Sequence, residues 1–216
     1  MSSRKTPSRS ASSATPPRAI DRIRAVADDM FYREGIRAIG VDEIVTRAGV
    51  TKPSLYRSFA SKDELAAAYL RDYEAAFWER FDAAAKGHEH DPRAHLLAYF
   101  EGLAQRASKG GYRGCGLTNA AVEYPQAEHP ARKVAEANKR ALRSRLAAMA
   151  KDMGAADAQA LGDGLLLLLE GAYASGQLFG KGGPVRSLVE NAQRLIDASV
   201  SPARVRKKTS DADRRG

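Results

Sequence analysis

Residues 41–65 read VDEIVTRAGVTKPSLYRSFASKDEL, and this stretch decides the fold of the N-terminal part of the chain. Apolar side chains at positions 41, 44, 45 and 48 predict a short helix that Gly49 ends. Thr51 then stands at the position of a helix N-cap and Pro53 falls in the first turn, which predicts a second helix of about two turns. Two short helices joined by a glycine turn indicate a helix-turn-helix, whose second helix lies in the major groove of DNA.

The helical pattern extends in both directions from this stretch. From residue 20 to about residue 200 apolar residues recur at helical spacing, and no segment alternates as a strand does. The spacing predicts about nine helices, near residues 20–34, 41–48, 52–59, 62–85, 92–109, 115–124, 130–153, 157–179 and 185–200. The sequence therefore predicts an all-α fold whose N-terminal three helices form a helix-turn-helix headpiece.

The positions of the charged residues say more about a nucleic-acid partner than the net charge does. The 216 residues carry a formal net charge of +9, but residues 1–19 hold four basic and no acidic side chains and residues 201–216 contribute a further +4. The remaining chain is close to neutral, so net charge alone is weak evidence for a nucleic-acid partner. Both ends are polar, which predicts disordered basic tails. Auxiliary arms that contact DNA are the alternative.

Several classes of protein are excluded or disfavoured by what the sequence lacks. A single cysteine, Cys115, excludes an intramolecular disulfide and favours a reducing compartment. Residues 1–19 lack an apolar signal segment, and the longest aliphatic run, residues 165–169, is too short to span a bilayer. We therefore expect a soluble, cytoplasmic protein that does not bind membranes. Phosphate-binding glycine loops, HExxH and GxSxG are absent, so no enzyme and no cofactor are expected.

Positive charge is concentrated in the second helix of the motif. Residues 44–62 include four basic side chains and no acidic one, whereas residues 20–65 as a whole hold eight of each sign. Lysine and arginine contacts to phosphate supply affinity and register on DNA. Lys52 has the donor that guanine O6 or N7 accepts, and the Pro53 ring or the Thr51 methyl group can contact a thymine methyl group.

The string AGVTKPSLYRSFASKDEL, residues 48–65, resembles the TetR/AcrR family of bacterial transcriptional regulators, whose headpiece ends in a pattern close to AGVSxxTLYxHFxSKxxL. The preceding residues 33–35 and 40–44 also fit, and the resemblance covers about residues 20–70. It implies that Lys52, Pro53 and Ser54 read bases, that the Tyr56 hydroxyl binds phosphate, and that Lys62 contacts the DNA backbone. The predicted DNA-contacting residues are Arg47, Thr51, Lys52, Pro53, Ser54, Tyr56, Arg57 and Lys62.

Two positions depart from the family pattern. Gly40 stands where many members have a serine or threonine that caps the second helix and bonds phosphate, and Ser58 replaces the histidine of LYxHF. These two contacts lack their usual side chains in this chain.

The resemblance implies that the remaining helices form a ligand-binding and dimerisation domain. The expected organisation is a tail over residues 1–19, a DNA-binding domain over 20–65, a ligand-binding and dimerisation domain over 66–200, and a tail over 201–216. Dimerisation is expected on physical grounds, because two headpieces must sit about 34–36 Å apart to read successive major grooves. Helices eight and nine, residues 157–179 and 185–200, are the predicted interface. The alternative is that the apolar helix eight is the central helix of a monomer core.

Residues 113–132, RGCGLTNAAVEYPQAEHPAR, resemble a GCxxxNxxxExxxxxHP stretch found in a subset of this family. Asn119 and Glu123 lie four residues apart on one helix face and can point polar groups into an otherwise apolar cavity, as in small-molecule sites. In the alternative, Asn119 caps a neighbouring segment and Glu123 is solvated. The predicted ligand-contacting residues are Trp78, Phe81, Tyr99, Phe100, Leu103, Cys115, Asn119, Glu123, Leu166, Glu170 and Tyr173.

Together these patterns predict a homodimeric repressor that a small-molecule effector releases from a palindromic operator in double-stranded DNA. A non-specific DNA-binding protein is the first alternative, favoured by the basic tails, and a thiol-based redox sensor acting through Cys115 is a weaker one. His88, His90 and His95 lack the spacing of a metal site, and no metal is expected.

Overall fold

The structure is a computed structural model of the chain and describes residues 17–200. Every regular element in this range is helical: α1 (Ala19–Glu34), α2 (Val41–Ala48), α3 (Lys52–Ser58), α4 (Lys62–Ala83), α5 (Pro92–Ala107), α6 (Gly116–Glu123), α7 (Pro130–Asp152), α8 (Ala158–Phe179) and α9 (Leu188–Val200). The predicted all-α fold is confirmed. A short 3-10 helix, Pro184–Ser187, occupies the place where the ninth helix was predicted to begin. The predicted tails lie outside the described residues, apart from residues 17–19.

Helices α1, α2 and α3, here called the headpiece, pack around a small apolar core. Ile23, Ile44 and Leu55, one from each helix, are completely buried. The turn between α2 and α3 depends on Gly49, whose φ of +60° is a left-handed conformation that a side chain would strain. Its carbonyl accepts a hydrogen bond from Nη1 of Arg22 on α1 at 3.1 Å, so this turn is held against the first helix.

The N-cap residues of α3 and α4 form different hydrogen bonds. Thr51 is the N-cap residue of α3, as predicted, but its hydroxyl caps no backbone N–H and lies 3.2 Å from the Ser54 hydroxyl instead. Ser61 does cap α4, because its Oγ accepts a hydrogen bond from the backbone N of Glu64 at 3.2 Å. Helix α4 therefore has a well-defined start directly after the headpiece.

Helix α4 connects the headpiece to the remaining helices. Its 22 residues span about 33 Å, enough to contact α1 near its start and to pack along α6 and α7. The helices α5 to α9, here called the body, are built around the long pair α7 and α8. These two helices approach closely at Gly162, where a Cβ would come within 2.8 Å of the backbone N of Ala147.

Helix α8 is not fully covered in the single chain. Leu161, Leu165, Leu169 and Tyr173 are buried. On the other side Leu167 and Leu178 are 72% and 76% exposed. Helices α7, α5 and α9 and the 3-10 helix all pack against α8, but these two leucines remain uncovered in the single chain. Within residues 17–200, no helix has both the length and the apolar character needed to cross a membrane.

Candidate DNA-binding surface and ligand cavity

Helix α3 presents one polar face to solvent. Leu55 anchors the helix in the headpiece core and is completely buried, while Lys52, Pro53 and Arg57 are exposed. Tyr56 is 50% exposed, although its ring would gain free energy from burial. A short helix held by one buried leucine and carrying an outward hydroxyl and cations has the form of a major-groove recognition helix.

Acidic side chains lie closer to this face than the sequence suggests. Nζ of Lys52 lies 2.7 Å from Oδ1 of Asp42, and Arg47 pairs with Glu43 at 2.7 Å and with Glu34 at 3.3 Å. The prediction of a cluster free of acids is wrong in three dimensions, because the ends of α1 and α2 bring carboxylates from outside residues 44–62 to the same surface. The hydrogen bond between Lys52 and Asp42 raises the pKa of Lys52. These pairs are exposed and screened by water and salt, so phosphate groups can compete for the same cations.

The remaining predicted DNA-contacting residues lie on α3 or directly beside it. Nη2 of Arg57 donates to Oγ of Ser54 at 2.8 Å, which links the polar side chains of the exposed face. Lys62 is on the first turn of α4 and is partly buried, and this burial lowers its pKa. Gly40, the N-cap residue of α2, provides no capping side chain and has no other atom within 4 Å of a Cβ position.

A cavity of about 460 Å³ lies between α1, α4, α5 and α8 and the segment before α6. It is lined by Asp28, Asp29, Tyr32, Tyr69, Asp72, Tyr73, Ala76, Phe77, Arg80, Tyr99, Leu103, Arg106, Tyr112, Gly114, Cys115 and Tyr173. Six of the eight tyrosines of the chain are in this set. The volume falls within the range of small-molecule sites, about 300–1,000 Å³.

The structure brings four of the eleven predicted ligand-contacting residues to this cavity: Tyr99, Leu103, Cys115 and Tyr173. Trp78, Phe81, Phe100 and Leu166 instead pack in the hydrophobic core or against it. The polar residues Asn119, Glu123 and Glu170 also lie outside the lining. The Asn119 amide donates to the carbonyl of Arg113 at 2.7 Å, and Glu170 accepts from the Thr118 hydroxyl at 2.8 Å.

The sequence interpretation missed the contributions of α1 and α4. Tyr69, Asp72, Tyr73, Ala76, Phe77 and Arg80 recur at spacings of three and four residues along α4 and form one wall of the cavity. That stripe was visible in the sequence, but its mixture of tyrosines and charged residues does not separate a cavity wall from a solvated face.

The tyrosine hydroxyls bind the segment that leads into α6. Those of Tyr32 and Tyr73 each donate to the carbonyl of Gly114 at 3.4 Å, and the Tyr32 hydroxyl accepts from the backbone N of Arg113 at 3.1 Å. The hydroxyl of Tyr69, a residue only 5% exposed, has no hydrogen-bond partner among the described residues. It lies against the start of α6, where a Cβ at Gly116 would come within 2.8 Å of it. The cavity wall thus holds a buried polar atom that a ligand can satisfy.

The α1 side of the cavity is acidic. Asp72 forms an ion pair with Arg24, and Asp29 pairs with Arg33. Asp28 makes no ion pair or hydrogen bond among the described residues. Burial, together with the negative charge of Asp72, raises its pKa to about 6 against the opposing effect of Arg24.

Cys115 lies in the cavity wall at the N-cap of α6 and is only 2% exposed. Nζ of Lys139 on α7 is 3.5 Å from its sulfur and 2.7 Å from Oε1 of Glu170. Burial lowers the pKa of Lys139, but Cys115 and Glu170 outweigh this effect, and the pKa is raised. The thiol is therefore packed beside a charged amine and shielded from solvent.

Helix α6 links the cavity to the headpiece. At its start Gly114 and Cys115 line the cavity, and at its end an oxygen of Glu123 accepts a hydrogen bond from the backbone N of Arg37 at 2.8 Å. Nη1 of Arg37 in turn donates to the carbonyl of Glu123 at 3.2 Å. Beyond the end of α6, Nε2 of His129 at the N-cap of α7 lies 3.4 Å from Oδ1 of Asp63 on α4. Glu123 thus lies outside the cavity lining, and its partly exposed carboxylate binds the turn after α1, a contact that neither interpretation of the sequence predicted.

No group of three or more potential metal ligands is assembled within residues 17–200. His88, His90 and His95 are near one another, but His95 is buried and its Nε2 lies 2.8 Å from the carbonyl of Phe81. A histidine held in this way acts as part of the core packing.

Comparisons with known proteins give a consistent result. Residues 23–69 match the sequence profile of the family described as bacterial regulatory proteins, tetR family. A solved TetR-type transcriptional regulator from Streptomyces avermitilis is 31% identical and superposes with a TM-score of 0.72, over 85% of this chain and 98% of that one. A TetR-family transcriptional regulator from Streptomyces coelicolor is 29% identical with a TM-score of 0.74, over 83% of this chain and 93% of that one.

Curated relatives match over only part of their length. The HTH-type transcriptional repressor NemR of Escherichia coli is 28% identical over 96 residues, 44% of this chain and 48% of NemR. The HTH-type transcriptional activator FasR of Mycolicibacterium smegmatis is 51% identical over 45 residues, 21% of this chain and 20% of FasR. The chain thus spans about half or less of the length of these curated relatives.

Proposed function

The chain belongs to the TetR family of bacterial transcriptional regulators, which are DNA-binding proteins rather than enzymes, and on this premise we propose that it is a ligand-responsive repressor of a palindromic operator. The observation that carries the proposal is the placement of α6, which begins in the wall of the cavity and ends in a hydrogen bond with the headpiece. Repression is the simpler mode, because occupation of the operator is sufficient for it.

The proposed DNA contacts are divided between α3 and its neighbours. Lys52, Pro53 and Ser54 at the start of α3 are the proposed base-reading residues, since the N-terminal residues of a recognition helix reach base edges. The Tyr56 hydroxyl and Lys62 are proposed to bind phosphates, with Arg47, Thr51 and Arg57 beside them. On DNA, the ion pairs that Lys52 and Arg47 make with carboxylates in the free protein exchange for a base contact of Lys52 and a phosphate contact of Arg47.

A homodimer is proposed through α8 and α9. Leu167, Gly171, Ala174 and Leu178 follow one another at helical spacing along the exposed face of α8. A continuous stripe of exposed apolar residues marks an interaction surface. A second copy is the occupant favoured here, because specific binding to DNA requires two headpieces about 34–36 Å apart.

The proposed switch runs through α6. A ligand that displaces the tyrosines from Gly114 moves the start of α6, and the bond between Glu123 and Arg37 carries the shift to the turn between α1 and α2. The two headpieces then lose the spacing of successive major grooves. A coupling of about 1–3 kcal/mol between cavity and DNA changes operator affinity by about 5- to 150-fold.

Selection of bound sequences from a random DNA pool tests the DNA part of this proposal. We expect a palindrome whose half-sites are about one helical turn apart and which binds at least about a thousandfold more tightly than random DNA. The selection is repeated with a chain restricted to residues 17–200. Recovery of no common sequence by either chain favours the non-specific DNA-binding alternative.

A further inference from the structure

Two arginines line the cavity without a carboxylate partner among the described residues. Arg80 on α4 lies over the ring of Tyr73, 5.9 Å from its centroid, and Arg106 on α5 lies over the ring of Tyr99 at 5.8 Å. Contacts of this kind hold a guanidinium in place but leave most of its donors available. The cavity wall at Arg80 and Arg106 therefore carries two positive charges without an ion pair among the described residues.

The charges of both arginines affect Tyr99 in the cavity wall. Burial raises the pKa of Tyr99, while the positive charges of Arg106 and Arg80 both act to lower it. Tyr99, Arg80 and Arg106 thus all line the same cavity. Together they form a set of N–H and O–H donors of the kind that binds a carboxylate.

The opposite end of the cavity, near Asp72, is lined by carboxylates. Asp72 is neutralised by Arg24 and Asp29 by Arg33, which leaves Asp28 as the one lining carboxylate without an ion pair. Arg80 follows Asp72 by eight residues on α4, so the two ends are about 12 Å apart. Counting the unpaired groups, the cavity walls hold two positive charges and one negative charge.

We propose that the effector is an elongated aromatic anion whose carboxylate binds between Arg80 and Arg106 and whose rings pack among the tyrosines. This inference rests on the proposed role of the cavity as the effector site, and it adds the chemical class of the ligand. The ring faces of Tyr73, Phe77 and Tyr99 supply the apolar contact. An anion is favoured over a cation because the walls hold two unpaired positive charges and one unpaired negative charge, and a bound monoanion brings this sum to zero.

Three matched probes that differ only in charge test the proposal on the full chain. They are biphenyl-4-carboxylate, biphenyl-4-methanol and biphenyl-4-methylammonium, and their binding is measured by isothermal titration calorimetry at pH 7.5. We expect the carboxylate to bind at least about tenfold more tightly than the alcohol, and the ammonium ion to bind more weakly than either, because a charge-assisted hydrogen bond contributes that much.

Two variants test where the carboxylate of the probe binds. Arg80→Gln and Arg106→Gln should each weaken binding of the carboxylate at least about tenfold and leave binding of the alcohol within twofold, which also shows that the cavity is still formed. Arg71→Gln is the matched control, since Arg71 lies on the same helix with an exposed side chain that approaches only Glu64, at 3.8 Å. It should bind all three probes as the unaltered protein does.

The proposal is overturned if the ammonium ion or the alcohol binds as tightly as the carboxylate, or if none of the three probes binds. It is also overturned if both arginine variants bind the carboxylate within twofold of the unaltered protein. The comparison of probes needs no variant, so a variant that fails to fold does not remove the test.

Release from DNA is measured separately, so that the two proposals can fail separately. If the carboxylate binds through Arg80 and Arg106 but leaves DNA affinity unchanged, the ligand class stands and the proposed switch is wrong. If a cationic or neutral molecule releases DNA from this cavity, the switch stands and the ligand class is wrong.

Discussion

Glu123 on α6 and Arg37 in the turn after α1 are joined by two hydrogen bonds, both of which Arg37 donates. The Arg37 backbone N donates to the Glu123 side chain at 2.8 Å, and the Arg37 side chain donates to the Glu123 carbonyl at 3.2 Å. The carboxylate also lies 3.2 Å from the position that a Cβ would take at Gly35, whose φ is +95°. The headpiece and α6 are therefore fitted to each other along a backbone that only glycine accommodates well.

Replacing Glu123 by alanine should release this contact. We expect hydrogen exchange at the Arg37 amide to become about tenfold faster, because a bond to a charged acceptor contributes about 1.5 kcal/mol or more. The measurement is amide exchange followed by NMR. Glu128→Ala is the control, since Glu128 is 89% exposed and pairs only with Lys133. Unchanged exchange at Arg37 would show that the contact does not constrain the turn.

Asp42→Asn should strengthen DNA binding by about two- to fivefold. The substitution frees Lys52 from its 2.7 Å ion pair and removes a negative charge near the proposed phosphate contacts. Affinity for one DNA duplex is measured by fluorescence anisotropy at several salt concentrations. Asp152→Asn at the end of α7 changes the net charge equally and should have no effect. Equal gains for both variants would mean that net charge alone is responsible.

Lys52→Ala and Tyr56→Phe should affect DNA binding in different ways. Loss of the half-exposed Tyr56 hydroxyl should weaken binding to all sequences by about tenfold, as expected for a phosphate contact. Loss of Lys52 should also relax the preference at one base position. Both are measured by competition between the selected operator and single-base variants of it. A Lys52→Ala protein with unaltered affinity and preference would refute the base-reading assignment.

Leu167→Glu should dissociate the proposed dimer. Its side chain is 72% exposed in the single chain, and a buried glutamate without a partner costs several kcal/mol at an interface. Sedimentation velocity at micromolar concentration should show a monomer, while affinity for the palindrome falls. Val122→Glu places the same charge at a similarly exposed apolar residue on α6 and should leave the dimer intact.

Asp28→Asn should stabilise the protein at neutral and alkaline pH. The pKa of Asp28 is raised from 3.8 to about 6 in the folded protein, so the folded state favours the protonated form. The contribution of Asp28 to stability is then fully present below pH 3.8 and is lost as the pH rises through 6. Asparagine cannot ionise, so at pH 8 the variant should gain about 1–2 kcal/mol, an amount reduced for partial solvent exposure.

This gain is measured by urea unfolding at pH 8 and pH 4. The difference between the variant and the unaltered protein should be close to zero at pH 4. Asp29→Asn is the control, because Asp29 is exposed and paired with Arg33. A gain of the same size at both pH values would mean that ionisation of Asp28 is not its cause.

The helices and the recognition motif could be predicted because their signals are local. Apolar spacing, Gly49 as a left-handed turn and Ser61 as a cap act within a few residues, and the helices near Val41–Ala48 and Pro130–Asp152 follow from them. The 3-10 helix at Pro184–Ser187 was missed because the apolar spacing of α9 continues into it.

The surroundings of the site could not be predicted in the same way. Residues 44–62 contain no acid, yet Lys52 and Arg47 meet carboxylates that lie earlier in the chain. Asn119 and Glu123 share a helix face, as predicted, but that face meets the Arg113 carbonyl and the headpiece instead of the cavity.

By itself the sequence determined an all-helical protein with a helix-turn-helix whose second helix lies at residues 52–58, since periodicity and capping depend on neighbours a few residues away. Only the tertiary structure decided which residues enclose the cavity and which charges remain unpaired in it. Those properties depend on helices α1, α4, α5 and α8 meeting in space, and Coulomb interactions follow distance in space rather than separation along the chain.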